Sequence, residues 1–169
     1  KVYERVKART TELLGSGKFL TFFGGEHSIS IGIIDAFARQ HPGLSVLQLD
    51  AHADLRPSYL GSEFNHACAM HRASRECQLV QVGIRSMDVS EEEWLDRDKC
   101  FFAHEMAGNE HWMDRSISLL GDQVYLSIDL DVLDPAIMPA TGTPEPGGMD
   151  WYPLLTYLGK VFEKKNVVG

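Results

Sequence analysis

Residues 44–49 read Leu-Ser-Val-Leu-Gln-Leu, and the run ends abruptly in Asp50-Ala51-His52-Ala53-Asp54. A nearly continuous apolar run of this length predicts a strand in a parallel sheet covered on both faces. In open α/β sheets, ligands sit outside the carboxyl ends of the strands. Side chains two apart in extended chain share a side, so Asp50, His52 and Asp54 can converge there, and the two alanines let neighbours close in. A second run repeats the pattern: Val124–Ile128 leads into Asp129-Leu130-Asp131.

The rest of the chain alternates in the same way. Further strands are expected at Phe19–Phe23, Leu79–Val82 and Cys100–Ala103. Helices are expected over residues 3–15, Ser28–Arg39, Ala67–Arg75, Ser90–Asp96, Glu110–Leu120 and Trp151–Phe162. In the last helix Trp151, Leu154, Leu155, Leu158, Val161 and Phe162 recur at helical spacing. Asp150 is its expected N-cap, and Pro153 falls in the first turn, where a missing N–H costs nothing. The alternation predicts an α/β domain with a mostly parallel sheet. Two long polar loops, Asp50–Asn65 and Asp129–Gly148, each follow a strand directly.

Composition narrows the function. The net charge of −8 argues against a nucleic-acid surface. No apolar run approaches the ~20 residues of a membrane span, and no signal peptide opens the sequence. Cys68, Cys77 and Cys100 are odd in number and form no Cys-x-x-Cys pair, so reduced thiols of a cytoplasmic protein are expected rather than disulfides or a zinc ribbon. Both ends look cut: residues 3–15 begin inside a helix, and Val167-Val168 looks like a strand being entered. Residues 1–169 are read as one catalytic core, incomplete at both ends.

Gly24-Gly25-Glu26 would turn the chain after the first expected strand and aim His27 at the strand ends. Six candidate ligands then gather: His27, Asp50, His52, Asp54, Asp129 and Asp131. An oxygen-rich set with imidazole and no cysteine suits a borderline cation such as Mn²⁺. Six ligands exceed what one ion needs beside open water positions, whereas two ions ~3.5–4 Å apart account for them. Any one of these residues alone could be a turn residue or a helix cap. Asp-x-His-x-Asp with a matching Asp-x-Asp on another strand asks for more.

Three blocks carry a resemblance: Gly24-Gly25-Glu26-His27-Ser28, Asp50-Ala51-His52-Ala53-Asp54, and Ser127-Ile128-Asp129-Leu130-Asp131-Val132-Leu133-Asp134-Pro135. The third continues through Pro139-Ala140-Thr141-Gly142-Thr143-Pro144-Glu145-Pro146-Gly147-Gly148. In this order they resemble the signature blocks of the ureohydrolases, the arginase and agmatinase family, most of all the agmatinases. The resemblance implies a three-layer α/β/α fold like that of arginases and deacetylases, two Mn²⁺ ions on the six residues, and a homo-oligomer. It implies that Asp50, Asp54 and Asp129 bridge or hydrogen-bond around the attacking hydroxide. It gives His66 a role in moving protons near the leaving amine, with His71 the second candidate, and places Thr143 at the guanidinium. A helix cap and a turn hydroxyl are the respective alternatives.

The activity so implied is hydrolysis of a guanidino group to urea and an amine, with agmatine and putrescine the expected pair. The carboxylate that pairs with the guanidinium is expected beyond Gly169, and Glu145 is not its counterpart. The stretch Asp54-Leu55-Arg56-Pro57-Ser58-Tyr59 looks like agmatinases and lacks the loop with which arginases hold an amino-acid end. Arg56 leaves open a guanidino acid, such as guanidinobutyrate, as substrate. Other readings are a metal-binding homologue without turnover and a single-zinc deacetylase of related fold. The second Asp-x-Asp and the His27 block speak against the deacetylase.

Overall fold

The computed structural model describes residues 2–169. Five parallel strands form one sheet: β1 (Ser45–Leu49), β2 (Gln78–Ile84), β3 (Cys100–Phe102), β4 (Gln123–Ile128) and β5 (Asn166–Val167). Their order is β3-β2-β1-β4-β5, so β1 lies at the centre with β2 and β4 beside it. Six α-helices accompany them: α1 (Val2–Leu14), α2 (Ile29–Gln40), α3 (His71–Glu76), α4 (Ala103–Met106), α5 (His111–Ser118) and α6 (Trp151–Lys164).

Alternate strand residues feed two cores. Leu47, Leu49, Val80, Val82 and Val124 pack against Trp112 and Ile117 of α5 and Tyr157 and Val161 of α6. Val46, Leu79 and Tyr125 point the other way, against Ile33 and Phe37 of α2, Ala73 of α3 and Val6 of α1. The result is three layers, α/β/α, with the central strands β1 and β2 covered on both sides, which is why they read as nearly continuous apolar runs.

One buried charge network ties the outer helices together. Asp35 of α2 accepts from Lys7 at 2.8 Å and from the Tyr3 hydroxyl, and Arg72 of α3 lies 3.1 Å away. Burial alone would raise its pKa, but Lys7, Tyr3 and the Arg72 charge outweigh burial and hold it below the ordinary range. Asp35→Ala should therefore cost roughly 3 kcal/mol, because two cations lose their buried partner. A depressed carboxylate stabilises the fold above its unfolded pKa of about 3.9 and loses that contribution as pH falls through the folded value. The gap between wild type and variant in urea denaturation should be full at pH 6 and shrink below about pH 4. A gap independent of pH would refute the role given to the Asp35 charge.

Several sequence expectations change. Phe19–Phe23 is not a strand: Leu20 and Phe22 pack inward on the α2 side while Phe19 and Phe23 face solvent, but the segment hydrogen-bonds to no sheet edge. It keeps the alternation of extended chain without a partner. Ala67–Arg75 splits into a 3-10 turn, His66–Cys68, followed by α3, and residues 89–94 form a 3-10 helix capped by Asp88. Asp150 occupies the N-cap of α6, yet its side chain makes no capping bond. The thiols are free, and burial pushes Cys77 to about 11 and Cys100 to about 12, so both are inert near neutrality. Among the described residues no helix is long and apolar enough to cross a membrane.

Candidate metal centre

His27 reaches the site from a turn at the start of α2, not from a strand end. Ile29 and Ser30 donate their N–H groups to the carbonyls of Glu26 and His27. Gly24 packs under Ile29: a Cβ there would lie 2.1 Å from Cδ1, and the end of that side chain would have to turn aside. Asp50 follows β1 directly. Asp54 adopts a left-handed backbone, φ +54°, rare for a residue with a side chain and often a mark of functional strain. Asp129 follows β4 and caps a 3-10 turn, Leu130–Val132, by accepting from Asp131 N–H. The capping role and a place in the site coexist in this residue.

All six side chains line one cavity of about 800 Å³ at the carboxyl end of the sheet. Five of them form two groups, His27–Asp50–Asp54 and Asp50–His52–Asp131, each with its ligand atoms within 4.8 Å of one another, and Asp129 is in neither. Asp50 belongs to both. His27 Nδ1 lies 2.9 Å from Asp54 Oδ2 and 3.1 Å from Asp50 Oδ2, with Asp129 Oδ2 at 3.7 Å. His52 Nδ1 lies 3.0 Å from Asp131 Oδ2.

The electrostatics are those of a crowded anionic cluster. Burial opposes a charge on His27, but Asp50 and Asp54 outweigh it and push the imidazole well above its ordinary value. Asp131 and then Asp50 raise His52 to about 10. Burial, with the Asp50 charge adding to it, lifts Asp54 to about 6, and Asp129 is raised by burial and by Asp50 and Asp131. Asp50 is held well below the usual range by His27 and His52 despite its burial. Without a cation the carboxylates rely on protonated imidazoles for compensation.

The donor set fits divalent cations. His27 Nε2 contacts Ser127 Oγ at 3.0 Å, while its buried Nδ1 has no aligned hydrogen-bond partner despite three carboxylates nearby. A ring with its proton on Nε2 presents a lone pair from Nδ1 to the cluster, as a ligand does. Carboxylates and imidazoles without thiolate suit a hard or borderline ion.

Other residues support the ligands, and the sequence reading missed them. Gln48 of β1 donates to Asp50 Oδ2 at 2.8 Å and to the His52 carbonyl. Gln81 of β2 donates to Gln48 Oε1 and to the Ala53 carbonyl. Gln48, Gln81 and Ser127 occupy one register row across three strands. Their signal in the sequence was a buried-type strand interrupted by an amide. Glu91, buried, accepts from the N–H groups of Leu55 and Asp88 and so fixes the chain after Asp54.

At the cavity mouth His66 is half exposed, with Nδ1 3.2 Å from Glu26 Oε1 and its ring edge-on to Tyr59. Thr143 lines the cavity and is exposed, whereas nearby Thr141 carries a buried hydroxyl without a partner. Glu145 lies 3.9 Å from His52 Nε2. His71 is not among the lining residues; it contacts the Leu55 carbonyl and packs on Trp94. Arg56 Nη2 lies 3.3 Å from Asp88, Nε lies 3.9 Å from Glu91, and the guanidinium rests over the Tyr59 ring.

Comparison with known proteins bears on the family and the fold. The chain is 39% identical over 164 residues to an N(1)-aminopropylagmatine ureohydrolase of Synechocystis sp., covering 90% of this chain and 52% of that protein. It is 35% identical to an agmatinase of Bacillus anthracis, covering 98% and 58%. The chain thus spans little more than half the length of these curated relatives. Its fold superposes on the agmatine ureohydrolase of Thermoplasma volcanium with TM-score 0.81 and 32% identity, over 98% of this chain and 58% of that one. For the arginase of Bacillus cereus the TM-score is 0.85 at 25% identity, over 98% and 67%. The model of the arginase family matches residues 1–169 from end to end, and the chain belongs to that family.

Proposed function

We propose that the protein hydrolyses the guanidino group of an amine-ended substrate, agmatine or its aminopropyl derivative, to urea and an amine, using two Mn²⁺ ions. His27, Asp50 and Asp54 would hold one ion, Asp50, His52 and Asp131 the other, with Asp129 beside the first. When bound, the ions supply the Lewis acidity that makes water a nucleophile at neutral pH. Asp54 accepts a hydrogen bond from the attacking water. The water oxygen adds to the guanidinium carbon and passes a proton to Asp54, the bond from that carbon to the nitrogen bearing the alkyl chain breaks, and that nitrogen takes a proton as it leaves. His66 supplies that proton from the cavity mouth, held in place by Glu26 and Tyr59. Thr143 presents its hydroxyl to the guanidinium from the facing loop.

One observation carries the choice of substrate class. Among the described residues Arg56 is the only Arg or Lys lining the cavity, and it is engaged by Asp88, Glu91 and Tyr59. A substrate carboxylate would enter an acidic cavity without a free cation to meet it, whereas an ammonium would find carboxylates. The names of the relatives point to the same class. In full-length protein with Mn²⁺, kcat/KM for agmatine or N(1)-aminopropylagmatine should exceed that for arginine or guanidinobutyrate at least about a hundredfold. Preference for either acid would sink the assignment. No urea from any of the four would favour a metal-binding homologue without turnover.

A further inference from the structure

Two loops carry five of the six candidate ligands, residues 50–54 after β1 and residues 129–148 after β4. One residue outside both loops touches both. Arg85 follows β2, and its N–H donates to the Ala51 carbonyl at 2.8 Å; the next N–H, of Ser86, donates to the same oxygen. Its side chain crosses to the other loop. Nη2 donates to the carbonyls of Asp131 at 2.6 Å and Glu145 at 2.8 Å, Nε to Pro146 at 3.1 Å, and Nη1 back to Gly83 at 3.0 Å. The side-chain donors thus bond to main-chain oxygens of the loop that carries Asp131 at one end and Thr143 near the other.

The path to this position is specific. The β2–β3 pairing shifts register between Val82 and Ile84, and Gly83 there has φ +94°. A Cβ at Gly83 would lie 2.8 Å from Val132 Cγ2 and 3.1 Å from the Asp50 carbonyl. The strand therefore passes against both ligand loops, and the bulge directs Arg85 between them.

We propose that Arg85 is a positioning residue that sets Asp131 and the 141–146 segment in one frame, so that ion affinity and substrate affinity depend on the same guanidinium. The inference rests on the two-ion reading of the site. A planar fork with donors on three nitrogens spans these carbonyls at once. A lysine ammonium is a single point of attachment and cannot.

The test uses full-length wild-type protein, Arg85→Lys and Arg85→Gln. Mn²⁺ affinity is measured by calorimetric titration of metal-stripped protein, and KM for agmatine at saturating Mn²⁺. Both variants should bind Mn²⁺ about tenfold more weakly or worse and show raised KM, with the melting temperature of the metal-stripped protein close to wild type. Wild-type ion affinity in either variant overturns the inference. So does a lowered melting temperature with unchanged ion affinity, which is what a structural staple alone would give. If wild-type protein itself binds no Mn²⁺, the two-ion reading fails and this inference with it.

Discussion

Asp50→Ala is expected to empty both ligand groups at once. Asp50 is the residue they share, and its two oxygens are already divided between them: Oδ2 faces His27, and Oδ1 lies 3.5 Å from His52. Elemental analysis of the full-length variant should find essentially no bound Mn²⁺, and urea release should fall more than about a hundredfold, the most that a merely supporting residue costs. Asp54→Ala is the control. Asp54 belongs to the His27 group alone, so that variant should keep about one ion per chain. Two ions retained in Asp50→Ala would show that the shared carboxylate is not a ligand.

His66→Ala should leave both ions in place and lower kcat about a hundredfold, the ordinary worth of a positioned general acid. The side chain stands outside both ligand groups and is half exposed, so stability should change by less than about 0.5 kcal/mol. Loss of bound metal, or unchanged turnover, would move the role away from His66.

How far the sequence foretold this depends on the kind of signal. β1, β2, β3 and β4 were legible because strands covered on both faces are largely apolar. Five of the six candidate ligands were legible because carboxylates and an imidazole at period-two spacing past a strand have few other uses, and His27 was legible only through the glycine turn before it. Phe19–Phe23 misled, since an apolar run reports burial but not whether a hydrogen-bonding partner exists. Gln48 and Gln81 passed unnoticed because an amide interrupting an apolar strand does not say what it bonds to; only the register reveals that they face each other. Arg85 was invisible for a related reason. Its partners are backbone carbonyls at residues 131 to 146, and carbonyls leave no mark on a sequence.

The row Gln81–Gln48–Ser127 also bears on how the sheet finds its alignment. Leu-Ser-Val-Leu-Gln-Leu beside Gln-Leu-Val-Gln-Val-Gly-Ile could slide by two residues with its apolar faces still matched. The slide would set Gln48 beside Leu79 or Gly83 instead of Gln81. Each stranded amide then costs about 1–3 kcal/mol. A slip by one turns the same amides into the α5–α6 core at similar cost. The polar row under the candidate ligands is thus a vernier, letting the central strands lock in only one alignment.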